Sequence, residues 1–359
     1  MKKILILFTI IFLLSGCYDY VEIEDLVIVT GMLIDYKDNQ YEITSQIIDN
    51  ENETNIKVIT TSCDSIDKCI YKLSKISNKD IFISHLKVII LTESVIKNNK
   101  NFYDYFLRDT KSKMNFYIYF VEDKYKDEIL NIYKNDKGSA LYIKNLMEFN
   151  NKIFSSSTPI SFLDYIKTKT EYGVVPIYSN LKIKENNNEK YIYLENIVVF
   201  DNDFNKIILN DQEGVFYNIL TNKANKTILT IPCDNNYFSI LLDNIKTKYK
   251  WNNNIFNIKI NIKSSISNYT CSYNLDNPKN IDKLSNLAND YIKKNIKRII
   301  NIAYDNNTDF IGIGSYIYKH DQNYFDFKNN NWNNYLKNIN NKIKVKTIIN
   351  SIGEMKNEL

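Results

Sequence analysis

Histidine occurs only twice in the 359 residues, as His85 and His320, far apart in the chain. That scarcity leaves little for histidine-based acid–base chemistry. Cysteine is nearly as rare, five in all, with no CxxC pair and no Cys/His spacing of a zinc site. No GxGxxG, Walker loop, GxSxG or HExxH occurs, which removes the usual marks of dinucleotide, nucleotide-phosphate, serine-hydrolase and metalloprotease sites. Asp201, Asp203 and Asn205 begin like a calcium loop, but Lys206 stands where glycine is needed and Gln212 where the bidentate glutamate belongs. A hairpin turn explains them better. Paired carboxylates of a glycosidase are not singled out by any spacing. With 46 basic and 42 acidic residues there is no electrostatic footprint for nucleic acid. Eight glycines and four prolines leave no linker to mark domain boundaries. Beyond the first residues, no apolar run approaches the roughly 20 residues that span a bilayer.

What the chain does have starts at its N-terminus. Lys2 and Lys3 precede an apolar stretch over residues 4–14, followed by Leu14-Ser15-Gly16-Cys17. A charged start, a short apolar core and small residues before a cleavage point make a signal peptide over residues 1–16. The Leu-Ser-Gly-Cys run fits a bacterial lipobox. Cys17 is then the residue that takes a diacylglycerol and becomes the first of the mature chain, so the body is expected to be held on a membrane by lipid. Without Lys2 and Lys3, 44 basic residues face 42 acidic ones. Aromatics are plentiful, with 28 Tyr and 18 Phe against 2 Trp, and the Tyr, Asn, Lys and Ile bias reads as codon supply from an AT-rich genome.

Hydrophobic periodicity sets the expected elements. Residues 21–35 read as a helical turn leading into a buried strand, and 40–49 and 56–62 as further strands. A helix begins near Asp64 or Ser65, with Cys63 and Cys69 at its start. If both cysteines lie on that helix they cannot pair, since six positions rise about 9 Å and bridged Cα atoms rarely exceed about 7 Å. Residues 81–91 read as one buried strand with His85 at its centre, 93–107 as helix, 116–121 as strand, and 124–133 and 140–149 as helices. Thr158 reads as the cap of another helix, with Pro159 at its first position. Strands are expected at 174–183, 190–200, 204–209, 226–232, 236–248, 254–268 and 343–350, with a helix near 211–221. His320 reads as a solvated turn residue after a strand.

The longest helix is expected over residues 278–303, capped by Asn277, with its apolar stripe on Leu284, Ala288, Ile292, Ile296 and Ile299. Lys283, Lys293, Lys294 and Lys297 lie on its other face, which reads as solvated, with contact to anionic headgroups as the sharper alternative. The fold class is α+β: mixed sheets with flanking helices and a C-terminal antiparallel sheet packed on that helix. Three domains are expected after the signal peptide: residues 17–172, a small β-rich middle domain at 173–225, and 226–359. Cys233 and Cys271 lie in strand-like text, where pairing is open.

Past the lipobox the sequence becomes specific. Cys17-Tyr18-Asp19-Tyr20-Val21-Glu22-Ile23 resembles the Cys-Trp-Asp-x-x-Glu-Ile start of the Ger(x)C spore-germination lipoproteins, C subunits of nutrient germinant receptors in spore-forming Firmicutes. The likeness continues through Gly31 and Asp35, Ser84-His85-Leu86-Lys87, Leu107-Arg108-Asp109, then Asp309-Phe310-Ile311-Gly312-Ile313-Gly314, Trp332 and Gly353. It covers nearly the whole mature chain in order. Tyr18 replaces the family's usual Trp, and Asn196 stands where glycine is expected before Val-Val-Phe. The resemblance implies a three-domain mixed α/β body without catalytic activity or cofactor beyond the lipid on Cys17. It also implies A and B subunits as membrane-embedded partners, and a place on the outer face of the spore inner membrane. The glycines then read as positions of positive φ or close approach, and Trp332, Arg108 and Asp109 as core packing and a salt bridge, or else a subunit contact. A solute-binding lipoprotein of an ABC importer is the alternative, which calls for two similar lobes and a hinge. A surface hydrolase would need paired carboxylates in a deep cleft.

Overall fold

The structure, a computed structural model, describes residues 22–49, 56–98, 101–133, 138–328 and 332–351. Strands and helices alternate through the first half. A 3-10 turn at Ile23–Asp25 leads into β1 (Leu26–Lys37), which turns back into β2 (Gln40–Asp49) and β3 (Ile56–Cys63). Helix α1 (Ile66–Ser77) then crosses over to β4 (Asp80–Phe82) and β5 (Val88–Leu91). Two short helices, α2 (Glu93–Lys97) and α3 (Tyr103–Arg108), precede β6 (Tyr117–Val121). Helices α4 (Ser139–Ile153) and α5 (Phe162–Thr170) follow, and then β7 (Ile177–Asn186), β8 (Glu189–Phe200) and β9 (Lys206–Leu209).

These strands form one nine-stranded sheet in the order β3-β2-β1-β5-β6-β7-β8-β9, with β4 beside β1 ahead of β5. Its centre, β1-β5-β6-β7, is parallel, and both flanks are antiparallel hairpins. Parallel neighbours need helical crossovers, and those cover both faces. Hence β5 is buried on both sides: Ile89 and Leu91 join the larger core, while Val88 and Ile90 join a second core under α4. The segment 173–225, expected as a middle domain, contributes β7 to β9 to this same sheet.

The remaining chain packs helix on sheet. Helix α6 (Asp211–Leu220) leads into β10 (Thr227–Cys233), β11 (Asn236–Asn252) and β12 (Ile255–Tyr269). Helix α7 (Pro278–Asp305) follows, then α8 (Ile313–His320), α9 (Gln322–Lys328), α10 (Trp332–Leu336) and β13 (Asn340–Ser351). The long helix stands as expected: Asn277 Oδ1 accepts from Lys279 N, and Leu284, Ala288, Ile292, Ile296 and Ile299 are buried. Lys283, Lys293, Lys294 and Lys297 face solvent. The expected antiparallel sheet holds for β10, β11 and β12, but β13 joins β12 in parallel. The reason is topological: α7 carries the chain back across the sheet before β13 begins, so the strand runs in the same direction as β12.

Several local expectations need correction. Residues 81–91 are not one strand; residues 83–87 form a turn between β4 and β5, so His85 is exposed there and not at a strand centre. Ile83 and Leu86 are buried within that turn, which is why the run reads as continuous. Residues 93–107 hold two short helices, and 124–133 hold a 3-10 turn (Asp123–Tyr125) and further turns that bury Ile129 and Leu130 without forming an α-helix. Thr158 does not cap a helix. Its hydroxyl donates to Asn218 Oδ1 at 2.7 Å, and Ser161 caps α5 instead, accepting from Asp164 N at 3.1 Å. His320 closes α8 and stacks on Tyr316 at 4.0 Å. Cys63 ends β3 while Cys69 lies in α1, so the two thiols are neighbours across elements, both free and buried. Cys233 and Cys271 are paired, with Cα atoms 6.0 Å apart.

Candidate functional site

The motif residues gather in two buried nodes and one surface position. The first node is built on β1. Gly31 sits at a register shift opposite β2 and aligns with Val88 of β5. A Cβ here would lie 2.7 Å from that of Ala140, so only glycine lets α4 seat on the strand. Lys87 acts through its backbone: its N–H donates to Thr30 O at 2.8 Å and its carbonyl accepts from Tyr117 N at 3.0 Å, tying β1 to β6. His85, in the preceding turn, has its pKa lowered by partial burial and by nearby Lys87 and Lys113. It is therefore neutral at pH 7.

Asp35, on the same strand, is 3% exposed. Its carboxylate accepts from Lys126 Nζ at 2.5 Å, Ser94 Oγ at 2.5 Å, Thr92 Oγ1 at 2.6 Å and Tyr36 N at 2.9 Å. Burial alone would raise its pKa; Lys126, Ser94 and Thr92 outweigh burial and hold it at about 2. Lys126, Thr92 and Ser94 are partners that sequence reasoning missed. The available signal was a carboxylate inside an apolar run, Leu-Ile-Asp-Tyr, which demands a buried counterion.

The second node joins the two halves. Asp309 is fully buried and accepts four hydrogen bonds: from Gly312 N at 2.7 Å, Ile313 N at 3.1 Å, Gly314 N at 2.7 Å and Trp332 Nε1 at 3.1 Å. Gly312 has φ of +87°, which an L side chain resists. A Cβ on Gly314 would meet Trp332 Nε1 at 2.4 Å and Gly173 Cα at 2.8 Å. The Asp309 carbonyl also accepts from Val175 N at 2.8 Å, and Ser315 N donates to Gly173 O at 3.0 Å. The loop over residues 309–315 is thus clamped to the chain entering β7. Burial raises the Asp309 pKa, and the Gly314, Gly312 and Trp332 donors oppose that rise.

Arg108 and Asp109 stay outside both nodes. Arg108 is exposed and pairs with Asp104 at 2.8 Å. Asp109 caps the end of α3, accepting from Tyr105 Oη at 2.9 Å and Lys111 N at 2.8 Å. The expected salt bridge therefore exists for Arg108, with a different acid. Trp332 is core, packed on Phe325 at 5.0 Å. Glu22 is exposed, and its carbonyl accepts from Asp25 N at 3.0 Å to start the 3-10 turn. Ile23 opens that turn. Leu14, Ser15, Gly16, Cys17 and Gly353 lie outside the described residues. Asn196 adopts φ of +64° at a bulge facing Ser179 and Leu181, a conformation glycine takes freely and asparagine tolerates.

The family described as "Spore germination protein N-terminal domain" matches residues 19–183, and "Spore germination B3/GerAC like, C-terminal" matches residues 195–353. Spore germination protein KC of Bacillus subtilis (strain 168) is 21% identical over 99% of this chain and 96% of its own. Spore germination protein GerQC of Bacillus cereus is 25% identical over 73% of this chain and 74% of its own. The crystal structure of the GerBC protein superposes with a TM-score of 0.56 at 15% identity, covering 92% of this chain and all of that one. With both family halves matched in order across nearly its whole length, the chain belongs to the Ger(x)C family of spore-germination proteins.

Proposed function

We propose that this protein is the lipid-anchored C subunit of a nutrient germinant receptor, working beside membrane-embedded A and B subunits on the outer face of the spore inner membrane, by contact and not by catalysis. The observation that carries the non-catalytic reading is Asp309. The most deeply buried acid of the family motif gives its carboxylate to three backbone N–H groups and Trp332. Its chemistry goes into holding the body together. Asp35, the other buried motif acid, is likewise saturated by Lys126, Ser94 and Thr92. The importer alternative calls for two similar lobes around a hinge, whereas the described residues form one nine-stranded and one four-stranded sheet of different topology.

Anchoring follows from the physics of acyl chains. A single chain gives reversible binding, at about 0.8 kcal/mol per buried CH₂, and two hold firmly; a diacylglycerol on Cys17 supplies two. Tethering also raises the effective concentration of a membrane partner, so a modest interface suffices. The test is Cys17→Ala in the spore-forming host, scored by lipid labelling, membrane fractionation and nutrient-triggered germination. The expected result is loss of label and of membrane retention, with germination impaired. Retention of the variant in the membrane fraction would remove the anchor from this reading. A deletion strain that germinates normally with every nutrient, with other receptors also deleted, would remove the receptor role.

A further inference from the structure

A cleft of about 280 Å³ opens beside the Asp309 loop, between α5, the segment 171–177, the end of α6 and α8. It is at the small end of ligand pockets. Five charged side chains line it: Asp164, Lys167, Glu171, Lys223 and Lys319. Lys319 and Glu171 pair with each other directly, and Ser315 supports both. Asp164 is held by Ser161 Oγ at 2.7 Å. Lys167 and Lys223 are left without an ion pair among the described residues, and the cleft carries one net positive charge.

Lys223 is open to solvent and lines the cleft, where neighbouring atoms lower the pKa of its ammonium, with Asp164 opposing and Lys167 adding to the fall. Two like charges facing one cleft, one of them desolvated, cost free energy in the empty protein. Between low-dielectric walls the field of such a pair is focused outward and draws anions in. An anion bridging the two ammoniums converts that cost into charge-assisted hydrogen bonds. The rest of the lining includes half-buried carbon surface on Val174, Val175, Pro176 and Tyr249. The hydroxyl of Tyr249 donates to Leu220 O at 2.6 Å, so its polar tip is already committed.

We propose that this cleft binds a small organic carboxylate, its oxyanion held by Lys223 and Lys167 and its carbon body lying on Val174, Pro176 and Tyr249. The single net positive charge suits a monoanion better than phosphate, and the carbon surface gives inorganic phosphate nothing to contact. This assignment stands apart from the receptor reading, because it concerns a binding reaction of the isolated chain.

The test uses the full chain in detergent micelles, its lysines reductively methylated with ¹³C-formaldehyde, which keeps their charge. Lys223 and Lys167 signals are assigned through K223R and K167R, and the protein is titrated separately with benzoate and with inorganic phosphate. Benzoate is expected to move both signals saturably and more tightly than phosphate, leaving exposed Lys283 unmoved. Lys223→Gln should weaken benzoate binding about tenfold, the loss of one charge-assisted hydrogen bond, while its melting temperature holds or rises because an unpaired charge is gone. Lys167→Gln provides the second reading if that variant folds poorly. Absence of a saturable shift, an equal shift at Lys283, tighter binding of phosphate, or unchanged benzoate affinity in both variants would each overturn the assignment.

Discussion

Asp35 and Asp309 are two buried carboxylates stabilised in different ways. Asp35 has a lysine counterion and a pKa of about 2, below the ordinary 3.8. Its contribution to stability is therefore fully present above pH 3.8 and disappears as pH falls toward 2, an amount of about 2 kcal/mol. Lys126→Met strands the charge, and is expected to cost about 2 to 4 kcal/mol at pH 7. The gap between wild type and variant should narrow as pH falls toward 2, because the unpaired Asp35 of the variant protonates readily and the wild-type carboxylate begins to lose its charge. Urea midpoints at pH 7, 4 and 2.5 measure it; a constant gap would refute the pair's role. Asp309 has donors but no cation, so its pKa is raised and geometry carries the burden. Gly314→Ala pushes a methyl into Trp332 and Gly173 and should cost about 1 to 3 kcal/mol. Trp332→Ala removes the ring that the methyl strikes, so in the double variant the two costs should fall well short of additive. A strictly additive cycle would mean the contact is not the cause. At this scale the sequence was informative where residue type is forced. Gly31, Gly312 and Gly314 all occupy positions of close approach or positive φ, as expected. Partner identity was not readable, because Lys126 and Asp35 are joined only by the fold.

Elements were legible in proportion to the regularity of their side-chain pattern. β10 alternates buried and exposed residues along its whole length, and α7 repeats its buried stripe from Leu284 to Ala303, so both stand where expected. The turn over residues 83–87 was not readable, since Ile83 and Leu86 are buried in irregular backbone and mimic a strand. The start of α5 was misplaced because Thr158-Pro159 has the chemistry of a cap, while Asn218, sixty residues on, takes the hydroxyl. The direction of β13 depends on where α7 delivers the chain, which no local pattern encodes. The disulfide belongs to this scale as well. It ties the end of β10 to the residues after β12, closing a loop of 38 residues. Constraining such a loop in the unfolded chain is worth about 4 kcal/mol in the entropic account. Cys233→Ser with Cys271→Ser should lower stability by about 2 to 4 kcal/mol in a chemical-denaturation series. A reductant should do the same to wild type and nothing to the double variant.

On the scale of the whole molecule, the two family matches end at residue 183 and resume at residue 195. That gap lies within the β7–β8 hairpin, whose strands pair from Ile177 with Val199 to Asn186 with Glu189. The sheet therefore continues through the place where sequence families part. Expressing residues 22–186 alone should leave β7 as an unprotected edge and lose the Gly173–Ser315 clamp, giving an aggregating fragment. Residues 22–186 and 187–351 expressed together should reassemble into one soluble complex. A monodisperse, cooperatively melting first half would show that the halves are independent after all. The helix-plus-strand composition foretold an α+β fold, but the sharing of one sheet between β1 and β9 became visible only in three dimensions.

The parallel placement of β13 has a consequence for biosynthesis. β12 and α7 leave the ribosome well before β13, and at 5 to 20 residues per second the interval lasts roughly seconds. Through that interval the outer edge of β12 is unpaired and part of α7's apolar stripe is uncovered. The disulfide between Cys233 and Cys271 can close earlier, since both cysteines precede α7. The C-terminal unit can thus be covalently pinned before it is complete, and β13 is the strand that closes the edge of β12. A chain that stops short of Asn340 carries an open strand edge that chaperones and proteases can recognise.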